Sequence, residues 1–128
     1  MSSGGAPGQH RMSIQHLLAV VPVSDIAVSR QWYASLFGRT EDNNPMPTLV
    51  EWQVLPGAWV QVFHDEDRAG SGLLNLAVDD LEAHRAALRD RGLDPGDIAD
   101  ANKGVRLSAL TDPDGNTITV IGGFRVDY

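Results

Sequence analysis

Apolar and polar positions follow the same programme twice along this chain. Residues 15–23 are almost continuously apolar, the pattern of a strand buried on both faces. Val28, Trp32 and Leu36 then recur at four-residue spacing, with Tyr33 and Phe37 alongside. This predicts one amphipathic helix, capped by Ser24 or Asp25 and stopped by Gly38. A turn-rich stretch over 40–47, with a short edge strand in it, precedes two alternating runs, 48–55 and 58–63, joined at Pro56 and Gly57 as a hairpin. The programme restarts with an apolar run over 73–78. Asp79 and Glu82 read as a capping box, Leu81, His84 and Leu88 share one helical face, and Gly92 ends the helix. A weak strand is expected over 93–99 and stronger ones over 104–111 and 117–121, the last two joined by the tight turn Asp112-Pro113-Asp114-Gly115-Asn116.

The two passes align at one offset: Val23 with Val78, Asp25 with Asp80, Ile26 with Leu81 and Arg30 with Arg85. The chain thus reads as α+β, with two βαβββ modules over 14–64 and 73–123, a linker over 65–72 and a flexible leader or cloning remnant over 1–13. Residues 14–128 form a single domain. A ligand cavity is expected where the modules meet. Alternation sorts the sheet faces. Ala58, Val60 and Val62 form an apolar row opposite Trp59, Gln61 and Phe63. Val50, Trp52 and Val54 oppose Glu51 and Gln53, and Ile118 and Val120 oppose Thr117, Thr119 and Ile121. In the strand over 104–111, the same rule puts Arg106 and Ser108 on the polar face. Faces that mix an aromatic ring with polar groups suit a small-molecule pocket, and the plainer reading is a solvated sheet surface.

Composition narrows the function classes. The 128 residues carry a net charge of −7 with one lysine, Lys103, which argues against a nucleic-acid partner. No apolar run is long enough to cross a membrane, and the leader lacks an apolar core of the secretory type. Zero cysteines exclude disulfides, thiol catalysis and thiolate metal sites, and fit a cytoplasmic protein. Neither a Gly-x-Ser-x-Gly elbow nor a phosphate-cradling glycine loop is present. The four histidines, His10, His16, His64 and His84, share no ligand spacing, and His84 belongs to the packing face of the second helix.

The segment from Val23 to Gly38 with its Trp32-Tyr33 pair, the Val78-Asp79-Asp80-Leu81 run and the Asp112–Asn116 turn followed by Thr117-Ile118, in this order, resemble the glyoxalase/bleomycin-resistance/extradiol-dioxygenase superfamily, also called vicinal oxygen chelate. The resemblance covers residues 14–123. It implies curved mixed sheets enclosing a cleft and, in many members, a homodimer. It also implies four metal-ligand positions. In this chain these fall at Leu18 and Leu73, each seven residues before the repeated aspartate, and at Gln61 and Thr119, each four residues after a hairpin glycine. Leucine has no lone pair to donate, and a threonine hydroxyl is a poor ligand for a divalent ion. Only Gln61 can coordinate, so no metal and no cofactor are expected.

The leading expectation is metal-independent binding or sequestration of an organic small molecule, such as an antibiotic, as in the bleomycin-resistance branch. The ligand-binding set is Trp59, Gln61, Phe63, Glu51, Leu18, Leu73, Asn75, Arg106 and Thr119. The alternatives are a divalent-metal lyase, isomerase or dioxygenase of the glyoxalase type and a metal-free enzyme using Glu51 as a general base. Catalytic residues are not assigned, and the balance leans toward binding. The expected partners are a small organic ligand and a second copy of the chain, without nucleic acid or membrane.

Overall fold

The structure, a computed structural model, describes residues 13–124. The expected leader, with His10, lies outside the described residues apart from Ser13. The first module runs β1 (Leu17–Val23), α1 (Ile26–Phe37), β2 (Asn43–Met46), β3 (Leu49–Leu55) and β4 (Ala58–His64). The second runs β5 (Leu73–Val78), α2 (Leu81–Asp90), β6 (Ala99–Asp100), β7 (Arg106–Thr111) and β8 (Thr117–Gly122). Each module closes a four-stranded mixed sheet, ordered β1-β4-β3-β2 and β5-β8-β7-β6, whose first strand runs parallel to its last.

Both helices start at the repeated aspartate. Asp25 accepts from the Val28 amide at 3.1 Å and Asp80 from the Ala83 amide at 3.0 Å, each bond stabilising its helix by about 1 kcal/mol. The second cap is therefore Asp80, not Asp79, because the helix begins at Leu81, the counterpart of Ile26. In α1 the buried stripe is Ser29, Tyr33 and Leu36, while Val28 is 49% exposed. The stripe turns one residue past the expected one because Tyr33 reaches the second module. Its hydroxyl donates to Asp112 at 2.7 Å, and Trp32 is left to pack edge-on against its ring.

One core spans both modules, with Val21, Tyr33, Leu36 and Trp52 on one side and Leu74, Leu81, Leu88 and Val120 on the other. β1 and β5 are the facing edges of the two sheets. Polar groups tie one end of this seam. Asn116, fully buried, accepts from the Gly70 and Gly72 amides and donates to the Pro22 carbonyl at 2.7 Å and to Asp112 at 2.8 Å. Ser24 donates to Asp114 at this end, while beside Phe37 the Arg91 guanidinium donates to the Ser35 and Leu36 carbonyls.

The strand expected over 93–99 shrinks to Ala99–Asp100. The backbone before it is held by side chains instead of a ladder. Arg85, buried under α2, donates to Ser108 Oγ at 3.0 Å and to the Gly96 carbonyl at 2.8 Å, and Ser108 donates to the same carbonyl at 2.6 Å.

Candidate functional site

Two regions offer a ligand surface: the sheet face turned away from the helices, and the seam between β1 and β5. On the first, register brings the expected residues together. Leu18 pairs with Trp59, Val20 with Gln61 and Pro22 with Phe63 across β1 and β4, while Glu51 pairs with Gln61 and Gln53 with Trp59 across β3 and β4. In the second module Leu73 pairs with Thr117 and Asn75 with Thr119. These positions alternate with buried Val50, Trp52, Val60, Val62, Ile118 and Val120, so they lie on the side opposite the core. Eight of the nine expected residues share this open face.

Arg106 is the exception and corrects the reading. It pairs in register with Gly122, on the helix side of β7, and its guanidinium sits 2.7 Å from Glu82 of α2 and 3.8 Å from Asp100. The bond to Arg106 holds the Glu82 carboxyl below its usual range. The polar face of β7 is in fact its core face, because Ser108 is buried against Arg85; the apolar Leu107 and Ala109 face outward with Ile121 and Thr119.

The first module puts the chemistry on the open face. Gln61 Nε2 donates to Glu51 Oε2 at 2.8 Å, and Asn43 Nδ2, from β2, donates to Glu51 Oε1 at 3.1 Å. The carboxylate is thereby fixed in one orientation beside the Trp59 and Phe63 rings. Asn43 was not among the expected residues, since an edge strand of four exposed positions carries no alternation signal. Around this trio the face is apolar but solvated: Leu18 is 50%, Val20 54% and Leu73 83% exposed. A single apolar side chain at the surface is ordinary, whereas several together on one face mark a binding surface.

The four positions that the resemblance gives to metal ligands do not fit a divalent ion. Leu18 and Leu73 offer no donor atom, Thr119 offers a neutral hydroxyl, and Gln61 offers at most one neutral amide oxygen, its Nε2 donating to Glu51. Among the described residues no three His, Cys, Asp or Glu side chains converge on a metal-binding arrangement. His16 is exposed, and His64 lies 3.6 Å from Glu66 at the far end of β4.

The seam, where the modules meet and a cavity was expected, is lined largely by residues outside the expected ligand set. Where β1 and β5 separate, on the helix side, they leave a half-open cavity of about 410 Å³ walled by Leu17, Ala19, Val54, Ala58, Leu74 and Leu76, with Phe37 from α1 and His84 from α2. Of the expected ligand set only Trp59 and Asn75 reach it. His84 Nε2 is buried with no hydrogen-bond partner. Burial, reinforced by the Arg91 charge and opposed by Asp79, lowers the imidazole below its ordinary value and favours the neutral ring. The only trace in the sequence is the pair of alanines, Ala19 and Ala58, at inward strand positions otherwise filled by valine.

No curated protein matches this chain. Solved structures do. A glyoxalase/bleomycin resistance protein from Catenulispora acidiphila DSM 44928 is 30% identical, with 84% of this chain and 96% of that one covered at a TM-score of 0.78. TnmS3, an antibiotic binding protein from Streptomyces sp. CB03234, shares the fold at 24% identity and a TM-score of 0.69, covering 88% of this chain and 98% of that one. A lactoylglutathione lyase from Agrobacterium tumefaciens shares it at 15% identity and a TM-score of 0.70, covering 84% and 92%. Among the described residues no helix is long and apolar enough to cross a membrane. The model of the glyoxalase-like domain matches residues 18–121, and the chain belongs to that family.

Proposed function

We propose that this protein binds an organic small molecule on its open sheet face, without a metal ion, and that a planar, cationic compound of the antibiotic type is the ligand class. The observation that carries the reading is the Asn43–Glu51–Gln61 trio set between Trp59 and Phe63. Two neutral amides orient a carboxylate there, and leucine or threonine stands at three of the four positions that the resemblance gives to metal ligands. Ring stacking on Trp59 contributes on the order of 1 kcal/mol beyond burial, and a cationic ligand adds a cation–π contribution and a charge partner in Glu51. The antibiotic binding neighbour from Streptomyces supports the class of ligand, at the level of fold.

Titrating a panel of planar basic and neutral aromatic antibiotics against tryptophan fluorescence tests this. Saturable quenching is expected for basic members and lost in Trp59→Phe, because Trp52 is fully buried and donates to the Arg39 carbonyl, and Trp32 packs on Tyr33 in α1, away from the open face. Glu51→Gln weakens the basic ligands about tenfold, the scale of one charge-assisted bond, and spares the neutral ones. Absence of quenching across the panel, or a full equivalent of divalent metal retained through dialysis with activity that depends on it, overturns the reading.

The exposed Leu18, Val20 and Leu73 also support a homodimer, in which a second copy covers part of this apolar strip. Light scattering is expected to give twice the 13.8 kDa chain mass. A mass of one chain across the micromolar range would remove the dimer.

A further inference from the structure

The two halves of the seam are related by the internal repeat, and the relation shows what the cavity lacks. Counting from the hairpin glycines Gly57 and Gly115, which share a left-handed φ of 76° and 92°, Val54 stands where the second module has Asp112, and Ala58 where it has Asn116. Counting from the capping aspartates, Ala77 stands for Pro22 and His84 for Ser29. At the tied end, Asp112 and Asn116 fill the space between the modules with a side-chain network. At the other end the same backbone carries Val54, Ala58 and Ala77, which are short and apolar, and all three face the cavity. The space is left open, and His84 presents a buried nitrogen to it without a partner.

We propose that this seam cavity, on the helix side of the sheets and sharing only Trp59 and Asn75 with the open-face ligand set, is a second ligand site for a small apolar molecule bearing one hydroxyl group, such as an alkylphenol. Its volume of about 410 Å³ lies within the range of about 300–1,000 Å³ usual for small-molecule pockets. Its walls, Leu17, Ala19, Val54, Leu74 and Leu76, match an apolar body. A neutral imidazole nitrogen either donates or accepts, and a hydroxyl satisfies both. A buried polar atom without a partner is costly, so a ligand that reaches His84 Nε2 gains an interaction that its hydrocarbon analogue lacks. A charged ligand is disfavoured, since among the described residues no charged side chain lines the cavity.

The test uses the full chain with 4-ethylphenol and ethylbenzene as probes, followed by NMR of side-chain methyl groups and of the His84 imidazole nitrogens. Both probes are expected to shift the methyls of Val54, Leu74 and Leu76, and only 4-ethylphenol to shift His84 Nε2. The phenol is expected to bind about fivefold tighter than ethylbenzene, the scale of one neutral hydrogen bond. His84→Leu should abolish that preference while leaving ethylbenzene bound. Ala19→Phe should fill the space and weaken both probes at least tenfold, and Ala58→Leu serves the same purpose if the first variant does not fold. Methyl shifts confined to the open face, equal affinity for the two probes, unchanged binding in the filled variants, or no shifts at millimolar probe would each overturn the proposal.

Discussion

At one end of the seam Pro22 and Tyr33 meet Asp112 and Asn116; at the other, the repeat offers Ala77, Leu88, Val54 and Ala58 in their places. The first end joins the modules through a buried network in which Asp112 accepts from the Tyr33 hydroxyl, the Asn116 side chain and the amides of Asp114 and Asn116. The second end joins them through the shared core and the Arg91 guanidinium on the Ser35 and Leu36 carbonyls, and keeps a cavity. A duplicated backbone thus carries two solutions: polar residues make one junction specific, and small apolar residues leave the other free to receive a guest. Stability and binding are divided between two ends of one interface.

Breaking the tied end gives the largest effect. Asn116→Ala removes two bonds to side-chain oxygen, from the Gly70 and Gly72 amides, and two from side-chain nitrogen, to the Pro22 carbonyl and to Asp112. Burial of those groups without partners is expected to cost about 3 kcal/mol, read as a fall in the urea midpoint at unchanged slope. A loss below about 1 kcal/mol would mean that the seam holds without the network.

The next comparison is between repeat-related arginines. Arg85 is buried and secures Gly96 and Ser108, whereas Arg30, its counterpart, lies at the surface and pairs with Glu41. Arg85→Ala is expected to cost about 2 kcal/mol and to speed amide exchange over 93–98, while Arg30→Ala costs under about 0.5 kcal/mol. Equal effects would show that burial does not separate the two.

This pair also shows where the sequence was legible. Offsets and alternation sufficed for both modules, for the first helix cap and for the placement of eight of the nine expected residues on one sheet face, because side-chain period and capping are local properties of the chain; the second cap moves from Asp79 to Asp80. They failed at Arg106 and over 93–99 for one shared cause. A buried Arg85–Ser108 pair makes the core face of β7 look polar, and the same arginine replaces a strand ladder with side-chain bonds. Asn43 and the lining of the seam cavity escaped for a different reason. An edge strand has no alternation to read, and an empty volume is set by contacts between modules that no local window contains.

Tyr33→Phe probes a single bond of the network. Asp112 keeps three other donors, so the expected loss at neutral pH is about 1 kcal/mol. The pH dependence is more telling. Burial first, then the bond to Asp112, raise the Tyr33 hydroxyl well above its usual range. A group whose folded value is raised gives its full stabilisation below the unfolded value, about 10 for tyrosine, and loses it as pH rises beyond that. The wild type is expected to lose stability more steeply above pH ~10 than Tyr33→Phe, whose denaturation curves should lack that component. Parallel curves would place the hydroxyl in water.

The smallest effect belongs to the open end. Ala58→Val adds two methyl-sized groups against Val54 and Leu17 in a space that is apolar and half-open, so part of each remains wetted. The expected gain is about 0.5–1 kcal/mol, below the full value for buried methyls, and reads as a rise in Tm of a few degrees. The same variant should bind 4-ethylphenol more weakly, because methyl and ligand compete for one volume. A gain in stability with an equal gain in ligand affinity would contradict that competition. The sign of the pair, one up and one down, distinguishes a cavity kept open for a guest from a packing fault, which would lose nothing when filled.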